Sequence, residues 1–154
     1  MIISNDAINI EIFNTPKLVD DYTKEIKSSI NEFVQAFKIT EVKLDISFCT
    51  KDEIKDLNKK FRNKEAPTNV LSFPDIDFQG IRKNCMGEII ISMDVIEEEV
   101  LDTSKREIDH LIHLLIHSML HLLGYKHDLE NDAILMERKE IEFLSKIGIQ
   151  NPYK

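Results

Sequence analysis

Polar and apolar residues alternate in two stretches of the chain, Ile8-Asn9-Ile10-Glu11-Ile12 and Val42-Lys43-Leu44-Asp45-Ile46-Ser47-Phe48, and this two-residue period predicts half-buried strands. Between them Leu18, Tyr22, Ile26, Ile30, Phe33, Val34 and Phe37 recur at helical spacing behind Thr15-Pro16, a natural cap and first-turn pair. A single helix to about Phe37 is expected. Thr50 with Glu53 forms a capping box for a short helix to about Arg62, with Ile54, Leu57 and Phe61 inward and a basic outer face. Val70-Leu71-Ser72-Phe73 before Pro74 reads as a short edge strand, 75–84 as a polar loop or loose hairpin, and Gly87-Glu88-Ile89-Ile90-Ile91-Ser92 as a strand buried on both faces. A brief helix capped by Ser92 or Asp94 carries Val95, Ile96 and Val100. A last helix, from about Asn131 to Ile147, packs Leu135, Met136, Ile141, Leu144 and Ile147 and ends at Gly148.

The stretch from Ile108 to Leu123 is of another kind: almost every position is apolar, and Ser104 with Glu107 supplies a second capping box ahead of it. A helix apolar on nearly every side is a buried one. His110, His113 and His121 nevertheless fall within about 40° of His117 around its axis, as one stripe. The expected fold is a single α+β domain over 1–154, with about four strands in a mostly mixed sheet and this histidine helix at its centre.

Composition narrows the setting. A chain of 154 residues buries an adequate core without disulfides, and Cys49 and Cys85, with no C-x-x-C partner, read as buried free thiols. The start lacks a basic segment and a sustained apolar run, so no signal peptide is expected and the cytoplasm is the default. The apolar run at 108–123 carries four histidines and is marginal in length, which argues against a membrane span. A formal charge of −8 weighs against a polyanionic partner, but Lys51 to Lys64 holds six basic residues against three acidic ones. That segment is either a solvated face or a local phosphate-binding one.

The spacing inside the histidine stripe suggests its chemistry. His117 and His121 stand one turn apart, and Gly124 permits the left-handed residue after which the chain doubles back to present His127. Three histidines with a fourth position open is the usual catalytic arrangement for zinc, and the spacing matches that of metzincin zinc proteases, a zincin-like site. The glutamate that serves those proteases as general base is replaced here by Ser118. One zinc ion held by three neutral imidazoles acidifies water to a pKa of about 7 and also takes a phosphate oxygen.

Two stretches together resemble a known family. His117-Ser118-Met119-Leu120-His121-Leu122-Leu123-Gly124-Tyr125-Lys126-His127-Asp128 is similar to the H-G-x-L-H-L-x-G-Y-D-H signature of the YbeY-type endoribonucleases, the ribosomal RNA maturation factors. Leu57-Asn58-Lys59-Lys60-Phe61-Arg62-Asn63-Lys64 and Pro67-Thr68-Asn69-Val70-Leu71-Ser72-Phe73-Pro74 resemble its L-N-x-x-Y-R-x-K and P-T-D-V-L-S-F-P segments, and Met86-Gly87-Glu88-Ile89 its L-G-D-I strand. The chain departs from the pattern at Ser118, Lys126, Asn69 and Glu88, none of which removes a ligand.

The resemblance implies a zinc-dependent, single-strand-specific endoribonuclease acting in 16S ribosomal RNA 3′-end maturation and late ribosome quality control. Its partners would be single-stranded RNA, ribosomal RNA and the small ribosomal subunit, not DNA. It makes His117, His121 and His127 the metal ligands and Arg62, whose planar fork suits phosphate, the contact to substrate. The general base stays open between Asp128 and Glu88, and His113 between a supporting and a core role. Two alternatives remain: a zinc metalloprotease-like hydrolase, and a ribosome-binding factor with a structural metal.

Overall fold

The sheet is mixed and has five strands, in the order β1-β2-β3-β5-β4. A computed structural model describes residues 1–75 and 80–154. In chain order the elements are β1 (Ile2–Ser4), β2 (Ile8–Phe13), α1 (Lys17–Asp21), α2 (Thr23–Ala36), β3 (Glu41–Cys49), α3 (Lys51–Arg62), β4 (Val70–Pro74), β5 (Asn84–Ser92), α4 (Met93–Val100), α5 (Glu107–Leu122) and α6 (Glu130–Lys146). β2, β3 and β5 run parallel, and the outer pairs β1·β2 and β4·β5 are antiparallel. The alternating residues Ile8, Ile10, Ile12, Val42, Leu44, Ile46 and Phe48 all turn inward. α5 packs against β4, β5, α2, α4 and α6, which buries ten of its sixteen residues.

Several expectations need correction. β1 adds a fifth strand; with only Ile3 of its three residues buried, it is too short to show a period. The expected helix from Thr15 to Phe37 breaks at Tyr22 (φ −116°, ψ 28°), with Pro16 as the capping residue of its first half. The Ser104 box fails because α5 starts at Glu107, which makes Glu107 its first residue rather than its third; Arg106 takes the cap position without a side-chain cap bond and pairs with Asp109 at 2.9 Å. Neither Ser92 nor Asp94 caps α4 by its side chain; Asp94 accepts the backbone N–H of Lys51 at 2.9 Å. The Thr50–Glu53 box forms as expected, and both reciprocal hydrogen bonds are made. On β5, Glu88 is exposed and Ile90 half-buried, so that strand is not covered on both faces throughout. Residues 76–79 of the expected polar loop lie outside the described residues.

Phe61 also departs from expectation: it is 51% exposed. The inward position beside Ile54 is taken by Asn58, whose side-chain amide donates to the Ala66 carbonyl at 2.8 Å and so shapes the chain leaving α3. Phe61 instead meets Phe73 of β4 edge-on, with ring centroids 5.3 Å apart.

Candidate metal centre

α5 ends in a Schellman closure. The N–H of Gly124, at φ 107°, donates to the His121 carbonyl at 3.0 Å and that of Tyr125 to the Leu120 carbonyl at 3.1 Å. This closure turns the chain back over the last turn of the helix and delivers His127 to the stripe. The His127 ring lies 4.7 Å from the His121 ring and 5.8 Å from the His117 ring, centroid to centroid. One nitrogen from each of His117, His121 and His127 falls within 4.8 Å of the other two.

Each of the two helical imidazoles has an acceptor behind it. His121 Nδ1–H donates to the Tyr125 carbonyl at 3.1 Å, and His117 Nδ1–H donates to the carboxylate of Glu140 on α6. Both acceptors only accept, so the protons sit on Nδ1 and the Nε2 lone pairs point forward. Those two Nε2 atoms stand 3.0 Å apart. Two lone pairs at that distance repel unless a cation lies between or before them. Burial, then the charges of His117 and His127, push the His121 pKa down to about 4, so that ring is uncharged at neutral pH. Three imidazoles converging on one point fit a borderline-soft divalent ion such as zinc.

Glu140 is fully buried. Besides His117 it receives the hydroxyl proton of Tyr153, and His113 Nε2 lies 3.8 Å from its other oxygen. Burial alone would raise its pKa; the His113 and His117 rings and the Tyr153 hydroxyl outweigh that and hold it at about 2. Burial, then the hydrogen bond to Glu140, raises the Tyr153 hydroxyl far above its usual range, so it remains a donor.

The imidazoles open onto a cleft of about 960 Å³ whose lining includes Arg62, Lys64, Ser72, Lys126 and Asp128. Arg62, Asp128 and the three histidines therefore border one cavity. Arg62 donates from one guanidinium nitrogen to the Ser72 carbonyl at 2.9 Å, and its head lies 5.2 Å from the Phe73 ring centre. Lys60 stands 5.2 Å from the Phe61 ring centre, so a basic, aromatic patch adjoins Arg62, outside the residues that line the cleft. Asp128 is exposed, and the backing acceptors of His117 and His121 are Glu140 and the Tyr125 carbonyl rather than Asp128. Glu88 does not line the cleft. His110 bonds Glu99 on α4 at 3.0 Å.

Sequence reasoning missed Glu140 and Tyr153. A signal existed: Glu140 sits four residues after Met136 and four before Leu144, in the inward register of α6.

Fold and site define a class, α+β proteins in which a buried helix and its return loop present three imidazoles to an open cleft. The family model described as Endoribonuclease YbeY matches residues 9–148, and the chain belongs to that family. Endoribonuclease YbeY of Colwellia psychrerythraea is 41% identical over 135 residues, covering 88% of this chain and 82% of that protein. Its namesake from Francisella tularensis subsp. novicida is 34% identical over 152 residues, covering 96% and 94%. The solution structure of TM1509 from Thermotoga maritima aligns with a TM-score of 0.65 at 27% identity, over 90% of this chain and 88% of that one. Among the described residues no helix is long and apolar enough to cross a membrane.

Proposed function

We propose that the whole chain is one zinc-dependent, single-strand-specific endoribonuclease domain, acting in the cytoplasm on the 3′ end of 16S ribosomal RNA in the small subunit and in ribosome quality control. The observation that carries this reading is the convergence of His117, His121 and His127 on the cavity that Arg62 borders. Those three histidines would hold the ion, which when bound supplies Lewis acidity to a water and to a phosphoryl oxygen.

The protein's own groups complete the chemistry. Arg62 has N–H groups to spare beyond its bond to Ser72, and these neutralise charge that develops on the phosphoryl oxygens as phosphorus is attacked. Asp128, exposed at the cleft, accepts the proton from the attacking oxygen as the P–O bond to the leaving nucleotide oxygen breaks, and that oxygen takes its proton from solvent. Phe61 and Phe73, flanked by Lys60 and Arg62, offer unpaired bases a stacking face beside cations for the backbone, a combination suited to single strands. A protease lacks support at the position after His117: Ser118 is fully buried and is no carboxylate.

The test is to incubate metal-loaded protein with single-stranded RNA, duplex RNA and casein. Cleavage of single-stranded RNA alone is expected. Casein cleavage without RNA cleavage would reverse the reading, and chelation that melts the fold rather than stopping turnover would make the metal structural.

A further inference from the structure

We infer that Glu140 is a positioning residue for the metal centre, and that Tyr153, in the turn after α6, acts on the centre through it. The inference rests on the reading of His117, His121 and His127 as metal ligands.

A fully buried carboxylate is costly unless its oxygens are satisfied. Glu140 is satisfied by two donors from opposite sides, His117 Nδ1–H on one oxygen and the Tyr153 hydroxyl on the other. The first bond fixes the ring orientation and tautomer of His117 and raises the basicity of its forward nitrogen, the role that outer carboxylates play for metal-bound imidazoles. The second fixes the carboxylate itself. Among the described residues the acceptor behind His121 is a neutral carbonyl, that of Tyr125. The two helical ligands are thus backed unequally, and His117 is the one that gains from a full negative charge.

Delivery of Tyr153 is equally specific. Beyond α6 the N–H of Ile149 donates to the Leu144 carbonyl at 2.8 Å, folding the tail back. Asn151 then accepts the N–H of Tyr153 through its side chain, also at 2.8 Å. The Tyr153 ring packs edge-on against His113, centroids 5.9 Å apart, and borders the cleft. His113, whose two ring nitrogens have no hydrogen-bond partner among the described residues, fills the space between the tyrosine and His117.

His113, His117 and Glu140 also sit close enough to one another to hold a cation themselves. That arrangement would take the His117 Nδ1 proton away, so it competes directly with the positioning role.

Three variants, Glu140→Gln, Tyr153→Phe and the double variant, are compared with the wild type. Zinc affinity is read by competition with a chromophoric chelator. The His117 tautomer is read by 15N imidazole NMR on metal-free protein. The expectation is one zinc per chain throughout. Affinity should fall about 10- to 100-fold in Glu140→Gln and less in Tyr153→Phe, with the double variant no worse than Glu140→Gln alone. Metal-free wild type should show the Nδ1–H tautomer at His117, weakened in Glu140→Gln. Unchanged affinity and tautomer in Glu140→Gln, additive losses in the double variant, or a second zinc lost with Glu140 would overturn the inference. A wild type that binds no zinc yet shows the Nδ1–H tautomer would defeat the metal reading and leave the Glu140–His117 contact standing. Tyr153→Phe removes one oxygen only, so it remains informative if Glu140→Gln folds poorly.

Discussion

His117 and His121 point their Nε2 atoms at each other across 3.0 Å, each with its Nδ1 proton committed to an acceptor behind it. Removing one of the pair dismantles the donor set. His121→Ala is expected to lose stoichiometric zinc and to cut RNA cleavage roughly 1,000-fold, about 4 kcal/mol of transition-state stabilisation. Metal analysis and single-turnover cleavage check both, and a variant that stays fully active without metal would contradict the site.

Arg62 is exposed and, among the described residues, donates to the Ser72 carbonyl and lies over the Phe73 face, so its loss should cost little stability, within about 1 kcal/mol. Arg62→Ala should lower kcat by about 100-fold or more with zinc content unchanged. Arg62→Lys should recover only part of that, because a point charge cannot bridge two phosphoryl oxygens.

Phe61 offers a separate prediction about binding. Phe61→Ala should weaken single-stranded RNA about 10-fold, the worth of one stacked base, and leave duplex RNA and metal binding alone. Fluorescence anisotropy with labelled oligonucleotides measures it; equal losses for both forms of RNA would rule out stacking.

Gly87 sits at φ 152° under the backbone of β4, and a methyl group there would collide with the Phe73 carbonyl and crowd Leu122. Gly87→Ala should therefore destabilise by about 3 kcal/mol, seen as a lower urea midpoint. Its effect should reach the cleft, because β4 carries Ser72 beneath Arg62 and Leu122 adjoins His121.

Acid should weaken the metal-free protein. A histidine in the unfolded chain takes up its proton near 6.5, whereas His121 in the folded protein does so only at about 4. Between those values the unfolded state binds a proton that the native state does not, so stability present above pH 6.5 is lost as pH falls toward 4. Glu140, held at about 2 against an ordinary 4.5, contributes in the same direction over the window below pH 4.5. Urea unfolding of chelator-treated protein should show about 2 kcal/mol lost between pH 7 and 4.5, and His121→Asn should flatten that slope.

Much of this was legible in the chain. The strands β2 and β3 and the capped helix α3 announce themselves by period and cap, and the spacing of His117, His121, Gly124 and His127 implies the return loop that the Schellman closure makes. What stayed hidden depends on tertiary placement. Whether Arg62 borders the histidine cleft turns on how β4 crosses beside α5, a matter no local pattern encodes. Phe61 looked inward because helical spacing alone cannot tell that Asn58 would take the buried site to hold the Ala66 carbonyl. Glu140 and Tyr153 lie well beyond His127 in sequence and meet His117 only once α6 packs on α5.

The position of β4 at the sheet margin carries one more consequence. An extended polypeptide can join such a margin by continuing its backbone ladder, the usual way a protease grips its substrate strand. Here the guanidinium of Arg62 lies on the Ser72 carbonyl of that margin, beside the cleft. A visiting peptide would have to evict it, whereas a sugar-phosphate chain would find it a ready counter-charge. On the proposed reading, the same side chain would welcome one kind of polymer and turn another away.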